Sequence, residues 1–427
     1  MKYNRISKEL FERNRFQFIS KMATNSVAIF CSNDQMPTNA DGTMPFKQNS
    51  DLFWLTGVDQ EQSKVLLYKD KSGSVQELLF VKETSELIAI WEGAKLTKEQ
   101  AFQTSGIKTV DWNNNFDKTF GAIMEKVETV YLNTNEHSRA ASEVETQTDR
   151  FNKSCKESFP NKNYQLSAPW MHQLRAIKHS IEIELLQHAC NITEKGFKRV
   201  LDFVKPGVKE YEIEAEFMHE FLINKSRGFA YEPIIASGKN ACVLHYIDNN
   251  QECKSGDVIL MDVGAEYANY ASDMTRCLPV SGRFTDRQKS VYNSVLKVMK
   301  EATSMLKPGL ILADYHKEVG LIMQSELIDL KLIDKHDVSK QDPKNPAYRK
   351  YFMHGTSHFL GLDVHDVGLW ENPIEEGMVF TCEPGIYIQE ENLGIRLEND
   401  LLITKSEPLD LMKNIPIEAD EIESLMV

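Results

Sequence analysis

The tripeptide Lys-Pro-Gly occurs twice, at 205–207 and 307–309, and each copy separates two stretches of helical pattern. Proline cannot continue a helix and glycine enters left-handed backbone freely, so both copies act as helix stops. Ahead of the first, a long helix runs from Ile181; behind it, Glu210 to Lys225 reads as another. Ahead of the second, Thr285-Asp-Arg-Gln288 is a capping box that opens a helix, and a further helix runs from about Leu312 to Leu330. Helix–Lys-Pro-Gly–helix thus recurs after 102 residues, Pro206 against Pro308. β-rich sequence follows each copy, at 231–280 and 354–405. Two copies are too few for a solenoid, so the pattern predicts two similar α+β halves sharing one domain. The natural place for a site is between the halves.

A chain of 427 residues is too long for one ordinary core, which predicts a second domain in front of this one. Asn161 to Pro169 is polar and ends in Ser-Ala-Pro, and Ser180 opens the next long helix with Glu182 and Glu184 in its first turn, where carboxylates suit the helix dipole. The boundary is therefore expected near 165–176, giving domains 1–171 and 172–427. Before it, strands are expected at Val27–Cys31, Val65–Tyr68, Glu77–Val81 and Thr129–Asn133. Helices are expected at the amino terminus, Thr97–Phe102 and Lys118–Val127, which makes an α/β pattern. No ligand cluster, nucleophile motif or phosphate loop stands out in this part. It reads as a scaffold or assembly domain, with Phe53, Trp54 and Trp91 as exposed aromatics.

Charge and composition exclude several classes. A net charge of −14 argues against a nucleic-acid partner, which needs a basic face. No run of about 18 apolar residues suggests a membrane span, and the charged opening MKYNRISKELFERNRFQF lacks the apolar core of a signal peptide. The seven cysteines are scattered without a Cys-x-x-Cys pair, as expected of reduced thiols in a cytoplasm.

The stretch Met353–Gly368, MHGTSHFLGLDVHDVG, holds three of the chain's 11 histidines: His354, His358 and His365. The spacing of four puts His354 and His358 on one face of a strand or helix. Taken alone, a strand with hydrogen-bonded histidines competes evenly with a metal site. Two carboxylate pairs shift the balance. Asp262 interrupts the apolar strand Val258–Gly264, and Asp273 follows eleven residues on. A hairpin turning near Tyr267–Asn269 would set the two across from each other, with Cβ atoms roughly 5 Å apart. Glu383 ends the apolar run Met378–Cys382, and a hairpin near Glu390–Glu391 would oppose it to Glu398. Like charges that close raise each other's pKa unless a cation neutralises them. Four carboxylates and an imidazole suit Mn²⁺, Co²⁺, Fe²⁺ or Zn²⁺ and are enough to bridge two metals roughly 3.5–4 Å apart. Such a pair activates water and polarises a carbonyl, which is hydrolytic chemistry.

In these residues the chain resembles the pita-bread metallopeptidases, the group that holds methionine aminopeptidase, prolidase and aminopeptidase P. The strings that carry the resemblance are Leu244-His245-Tyr246, Asp262-Val-Gly264 with Ser272-Asp-Met-Thr-Arg276, His354-Gly-Thr-Ser-His-Phe-Leu-Gly-Leu-Asp-Val-His365-Asp366, and Glu383-Pro-Gly-Ile-Tyr387 with Arg396-Leu-Glu398. One departure is Cys277 after Thr-Arg, where family members often carry threonine; it is not a ligand position. The likeness spans the whole second part and is greatest to the aminopeptidase P branch. The first part resembles the creatinase/prolidase-type amino-terminal domain. The resemblance implies an α+β pita-bread domain with five metal ligands: Asp262 on one ion, His358 and Glu383 on the other, Asp273 and Glu398 bridging. It implies two divalent ions, manganese first, with cobalt, zinc or iron as alternatives. His245, His354 and His365 would line the site and contact substrate, Tyr387 would join the substrate wall, Arg396 would orient acidic groups, and Glu383 would also shuttle a proton.

The implied substrate is a peptide with proline second, and the implied assembly is a homodimer or homotetramer. The nearest competing activity is prolidase, which must grip a dipeptide carboxylate, usually with an added arginine. The segment Ile388–Ile395 between the two glutamate motifs has no basic residue, which favours longer peptides. A non-catalytic pita-bread module, or the metal-free creatinase, would lack ligands that are all present here.

Overall fold

Val27-Ala28-Ile29-Phe30 has no polar side chain because it runs through the middle of a sheet. All six residues of β1 (Ser26–Cys31) are buried, as a strand covered on both faces requires. β1 pairs antiparallel with β2 (Lys64–Lys69), which turns back as β3 (Val75–Val81). β4 (Thr109–Trp112) adds in parallel to β3, and β5 (Thr129–Leu132) and β6 (Asn163–Leu166) extend the far side of β1 in parallel. The result is a six-stranded mixed sheet in the order β4-β3-β2-β1-β5-β6. Helices α1 (Lys8–Lys21), α2 (Ser50–Thr56), α3 (Glu86–Glu92), α4 (Lys98–Ser105), α5 (Phe116–Met124), α6 (Gln147–Ser158) and α7 (Ala168–Ala176) intersperse the strands, the expected α/β alternation.

The chain divides into two units, Arg5–Arg175 and Ala176–Val427, the latter with Met1–Asn4. The computed structural model describes residues 3–140 and 142–426. Among these, no helix is long and apolar enough to cross a membrane. One expectation for the amino-terminal unit fails. Phe53 and Trp54 are buried, at 0% and 1% exposure, while Trp91 is 83% exposed. Asn49 caps α2 and Gly57 ends it in left-handed backbone, and this short helix wedges Phe53 edge-on against Phe11 of α1 at 6.1 Å.

In the carboxy-terminal unit, α8 (Ser180–Leu201) and α9 (Glu210–Ile223) precede β7 (Ile234–Ser237) and β8 (Val258–Val263). A tight hairpin of β9 (Glu266–Tyr267) and β10 (Tyr270–Ala271) then leads into β11 (Met274–Pro279). The first half's sheet has the order β11-β8-β7, all antiparallel. α10 (Asp286–Met305), α11 (Leu312–Asp329) and the short α12 (Lys335–Lys340) follow. Next come β12 (Val379–Cys382), β13 (Gly385–Ile388), β14 (Leu393–Arg396), β15 (Asn399–Leu402) and β16 (Leu409–Asp410), before α13 (Ala419–Leu425). The second half's sheet is β12-β15-β16, and β13–β14 is a hairpin of its own. Both halves therefore share a pair of long helices followed by a three-stranded antiparallel sheet and a small hairpin, the second half adding the short α12. Gly207 and Gly309 repeat the same left-handed backbone, φ 95° and 93°. The capping box of Thr285 and Gln288 forms as read. α8 stops at Leu201, short of its Lys-Pro-Gly.

Candidate active site

Strand register decides where each carboxylate lands. Asp262 pairs with Thr275 across β8 and β11, not with Asp273. The expected facing pair is thus a diagonal one, displaced by two residues. Ala268 and Asn269, both left-handed at φ 53° and 69°, form the tight turn that fixes this register. A shift of two keeps both aspartates on one face of the sheet. For the second pair, Cys382 pairs with Asn399 and Gly385 with Arg396. Continuing that register sets Glu383 opposite Glu398. The Glu398 N–H donates to the Thr275 carbonyl at 3.1 Å and ties the two halves together.

The histidine stretch is neither the regular strand nor the helix expected. It runs beside β12, with Thr381 N–H donating to His358 O at 3.0 Å and Glu383 N–H to Thr356 O at 2.8 Å. It keeps a single bridge, Phe359 to Phe380. The backbone bends, so His354 and His358 take different partners. His358 Nδ1 contacts Phe359 O at 2.9 Å. Its Nε2 lies 3.4 Å from Asp273 Oδ2 and 3.7 Å from Glu383 Oε1. His354 reaches Tyr387 OH through Nε2 at 2.8 Å and lies 3.8 Å from the other Glu383 oxygen. His365 stands edge-on to His358, ring centres 4.5 Å apart. His245 is exposed and adds to burial and Arg396 in pushing His354 down, to about 3. It follows a 3₁₀ turn, Gly238–Cys242. That turn packs onto β14 at Gly394, where a Cβ would sit 2.2 Å from Ala241 O.

Asp273, His358 and Glu398 each offer a ligand atom within 4.8 Å of the others. Burial, reinforced by neighbouring carboxylates, pushes Asp273 and Glu398 well above the usual carboxylate range. Burial likewise raises Glu383, to about 7. Glu398 accepts from Thr275 Oγ1 at 2.7 Å through one oxygen, while the other is buried without a hydrogen-bond partner. An unpaired carboxylate oxygen is costly inside a protein, and oxygen donors with one imidazole fit a divalent cation.

Arg396 was expected to orient acidic groups, with Glu398 nearest in sequence. The carboxylate it touches is Asp262, at 2.5 Å from Nη2. Its Nη1 donates to Tyr387 OH at 2.8 Å and its Nε to Thr275 Oγ1 at 3.1 Å. Tyr387, expected on the substrate wall, is 2% exposed. Its hydroxyl joins Arg396 to His354.

Several residues of the site went unread in the sequence. Tyr231 OH lies 2.6 Å from both Asp262 Oδ1 and Asp273 Oδ1, so one phenol proton serves two carboxylates. Asp400 accepts from Asp273 N–H at 3.0 Å and Cys190 Sγ at 3.4 Å. Lys178 and Asp366 form an ion pair at 2.9 Å, each side chain 1% exposed, next to His365 in sequence. A signal for Asp400 existed, because alternate residues 396, 398 and 400 share one face of extended chain. Tyr231 and Lys178 carried none.

The metallopeptidase family M24 model matches residues 184–405, and the aminopeptidase P amino-terminal domain model matches 11–131. The chain is 32% identical to the Xaa-Pro aminopeptidase of Escherichia coli (strain K12), over 99% of this chain and 98% of that one. It is 34% identical to that of Haemophilus influenzae, with the same coverage. Among solved structures, a putative aminopeptidase P from Bacillus anthracis superposes with a TM-score of 0.92 at 34% identity, covering 99% of this chain and 98% of that one. Zinc-substituted E. coli aminopeptidase P in complex with product gives 0.89 at 31%, covering 99% of each. A helix-pair-and-sheet repeat around buried carboxylates, an α/β unit before it and whole-length likeness to aminopeptidases P have one reading: the chain belongs to metallopeptidase family M24, with a pita-bread catalytic domain behind an aminopeptidase P-type amino-terminal domain.

Proposed function

We propose that the chain removes the N-terminal residue from peptides whose second residue is proline. The observation that carries this is the buried group Asp273, His358 and Glu398 with its unpartnered Glu398 oxygen, in a chain like Xaa-Pro aminopeptidases along its whole length. In this reading Asp262 would help hold one divalent ion, His358 and Glu383 a second, and Asp273 and Glu398 would serve both, with manganese the first candidate. Bound there, the ions supply carbonyl polarisation and an activated water. Arg396 and Tyr231 fix Asp262, whose negative charge faces the free α-amine. Glu383, between His354 and His358, takes the water's proton and delivers it to the leaving proline nitrogen. His245, His354 and His365 position the scissile carbonyl and the pyrrolidine ring. That ring needs a dedicated site because an X-Pro amide has no N–H and a fixed φ.

The hairpin between Glu383 and Glu398 favours peptides over dipeptides. Its turn, Gln389–Glu391, offers no cation. Glu391 is paired to Arg287 at 2.7 Å and Glu390 to Lys350 at 3.7 Å. Hydrolysis of Ala-Pro-Ala, Ala-Ala-Ala and Ala-Pro by the metal-loaded enzyme tests the reading. Ala-Pro-Ala should be cleaved fastest. Fastest cleavage of Ala-Ala-Ala would reject proline specificity, and cleavage of Ala-Pro alone would make the enzyme a prolidase. For the amino-terminal unit we infer a homo-oligomeric contact. α3 buries none of its residues, and it presents Leu87, Ile90 and Trp91 at 67%, 75% and 83% exposure. A monomer by light scattering would refute this. The seven free cysteines support a cytoplasmic location.

A further inference from the structure

A groove of about 620 Å³ opens beside His354, between α11 and the segment 341–356. That size lies within the range of roughly 300–1,000 Å³ typical of ligand sites. Aromatic rings connect it to the catalytic group: Tyr348 to Phe352 at 6.4 Å, Phe352 to His354 at 5.0 Å, and His354 to Tyr387 at 5.5 Å. Its charge is the reverse of the chain's. In a protein of net charge −14, the lining includes Lys317, Lys344 and Arg349 and no aspartate or glutamate. Asp342, adjacent in sequence, has a carboxylate oxygen turned onto the Lys344 backbone N–H at 2.9 Å. Among the described residues none of the three cations is in an ion pair. His316, also in the lining, has a buried Nε2 without a hydrogen-bond partner. Unpaired cations along an open groove attract anions, and do so more strongly at low salt.

We propose that this groove continues the substrate channel and selects peptides bearing carboxylates downstream of the proline. The proposal rests on the peptidase reading above and adds a substrate class to it. The carboxylates come from acidic side chains or from the peptide's own C-terminus, and the experiment separates the two.

Fluorescently labelled Pro-Ala-Glu-Glu and Pro-Ala-Lys-Lys, each with a free and an amidated C-terminus, would be titrated with the metal-loaded enzyme and followed by anisotropy. At low salt the glutamate peptide should bind about tenfold tighter, as a few weakly screened charges provide, and the gap should narrow as salt rises. Weaker binding of both tails on amidation would assign the groove to the terminal carboxylate; a glutamate preference that persists in the amidated peptides would assign it to side chains. Lys317→Glu, Lys344→Glu and Arg349→Glu together should reverse the order, and the single change Arg349→Gln should narrow it. Equal binding of the two tails in the wild-type enzyme that amidation leaves unchanged, or affinities unmoved by the triple change, would overturn the proposal. Turnover of Ala-Pro-Ala-Glu-Glu and Ala-Pro-Ala-Lys-Lys keeps the two readings apart. Cleavage of both with no discrimination in binding removes the groove and leaves the activity. Discrimination in binding without cleavage removes the activity and leaves an acidic-peptide site.

Discussion

Both units bury charge, but they balance it differently. In the amino-terminal unit each buried charge meets its opposite. Arg15, 1% exposed, faces Glu77 at 3.0 Å and bonds the Leu55 and Ser105 carbonyls. Glu61 is paired by Lys95 at 2.6 Å and Lys82 at 3.7 Å, and Arg175 by Asp51 at 2.8 Å. The carboxy-terminal unit follows the same pattern at Lys178 and Asp366, and departs from it around β8, β11 and β15. There Asp273, Glu398 and Asp400 are buried together, with Asp262 and Glu383 beside them. Among the described residues Arg396 is the one guanidinium ion-paired to the group. Arg276, also buried, donates to backbone carbonyls and Asn399 instead. A buried pair can be kept for structure, whereas a buried excess of like charge is destabilising without a counter-ion. Balanced charge holds the first unit's fold; unbalanced charge marks where the second expects cations.

Removing a member of the unbalanced group should have the largest effect. Glu398→Gln should lower metal content and cut turnover at least about 10³-fold, as expected when several kcal/mol of metal-assisted stabilisation is lost. Full turnover in metal-stripped enzyme would break the comparison outright. Next come the imidazoles. Changing His245, His354 or His365 to Ala should reduce kcat by about 10²–10³-fold, with metal stoichiometry by elemental analysis near wild type. Metal loss on changing His365 would make it a ligand. Tyr231→Phe removes the proton shared by Asp262 and Asp273 and should cost about 10–100-fold in metal affinity or activity. An unaffected variant would mean that Arg396 alone orients Asp262.

The smallest effect belongs to the balanced unit. Glu61→Gln should leave turnover unchanged and lower stability by about 1–2 kcal/mol in a denaturant melt. Burial opposes ionisation of Glu61, but Lys95 and Lys82 outweigh it and hold the carboxyl below its usual range. The folded pKa being the lower one, its stabilisation is present above the ordinary carboxylate pKa and fades as pH falls through the folded value. The variant should therefore lose part of the wild-type protein's acid sensitivity. A variant as stable and as acid-sensitive as wild type would show that burying Glu61 contributes nothing.

What the sequence determined by itself was local or periodic. The repeated Lys-Pro-Gly stops, the Thr285–Gln288 capping box and the apolar strand cores were legible because a few adjacent residues decide them. The carboxylate pairs were legible as pairs because each interrupts or ends an apolar run, where a lone charge needs a reason. The tertiary structure decided what depends on register and on distant partners. Two left-handed residues at 268 and 269 moved Asp262 opposite Thr275. The same fold brought Tyr231 between two aspartates, Asp400 under the Asp273 backbone and Arg396 to Asp262, 134 residues away in sequence. It also buried Phe53 and Trp54, which had been expected at the surface. Hydrogen-bond partners of this kind are chosen by which strand faces meet, and no window of sequence contains both faces.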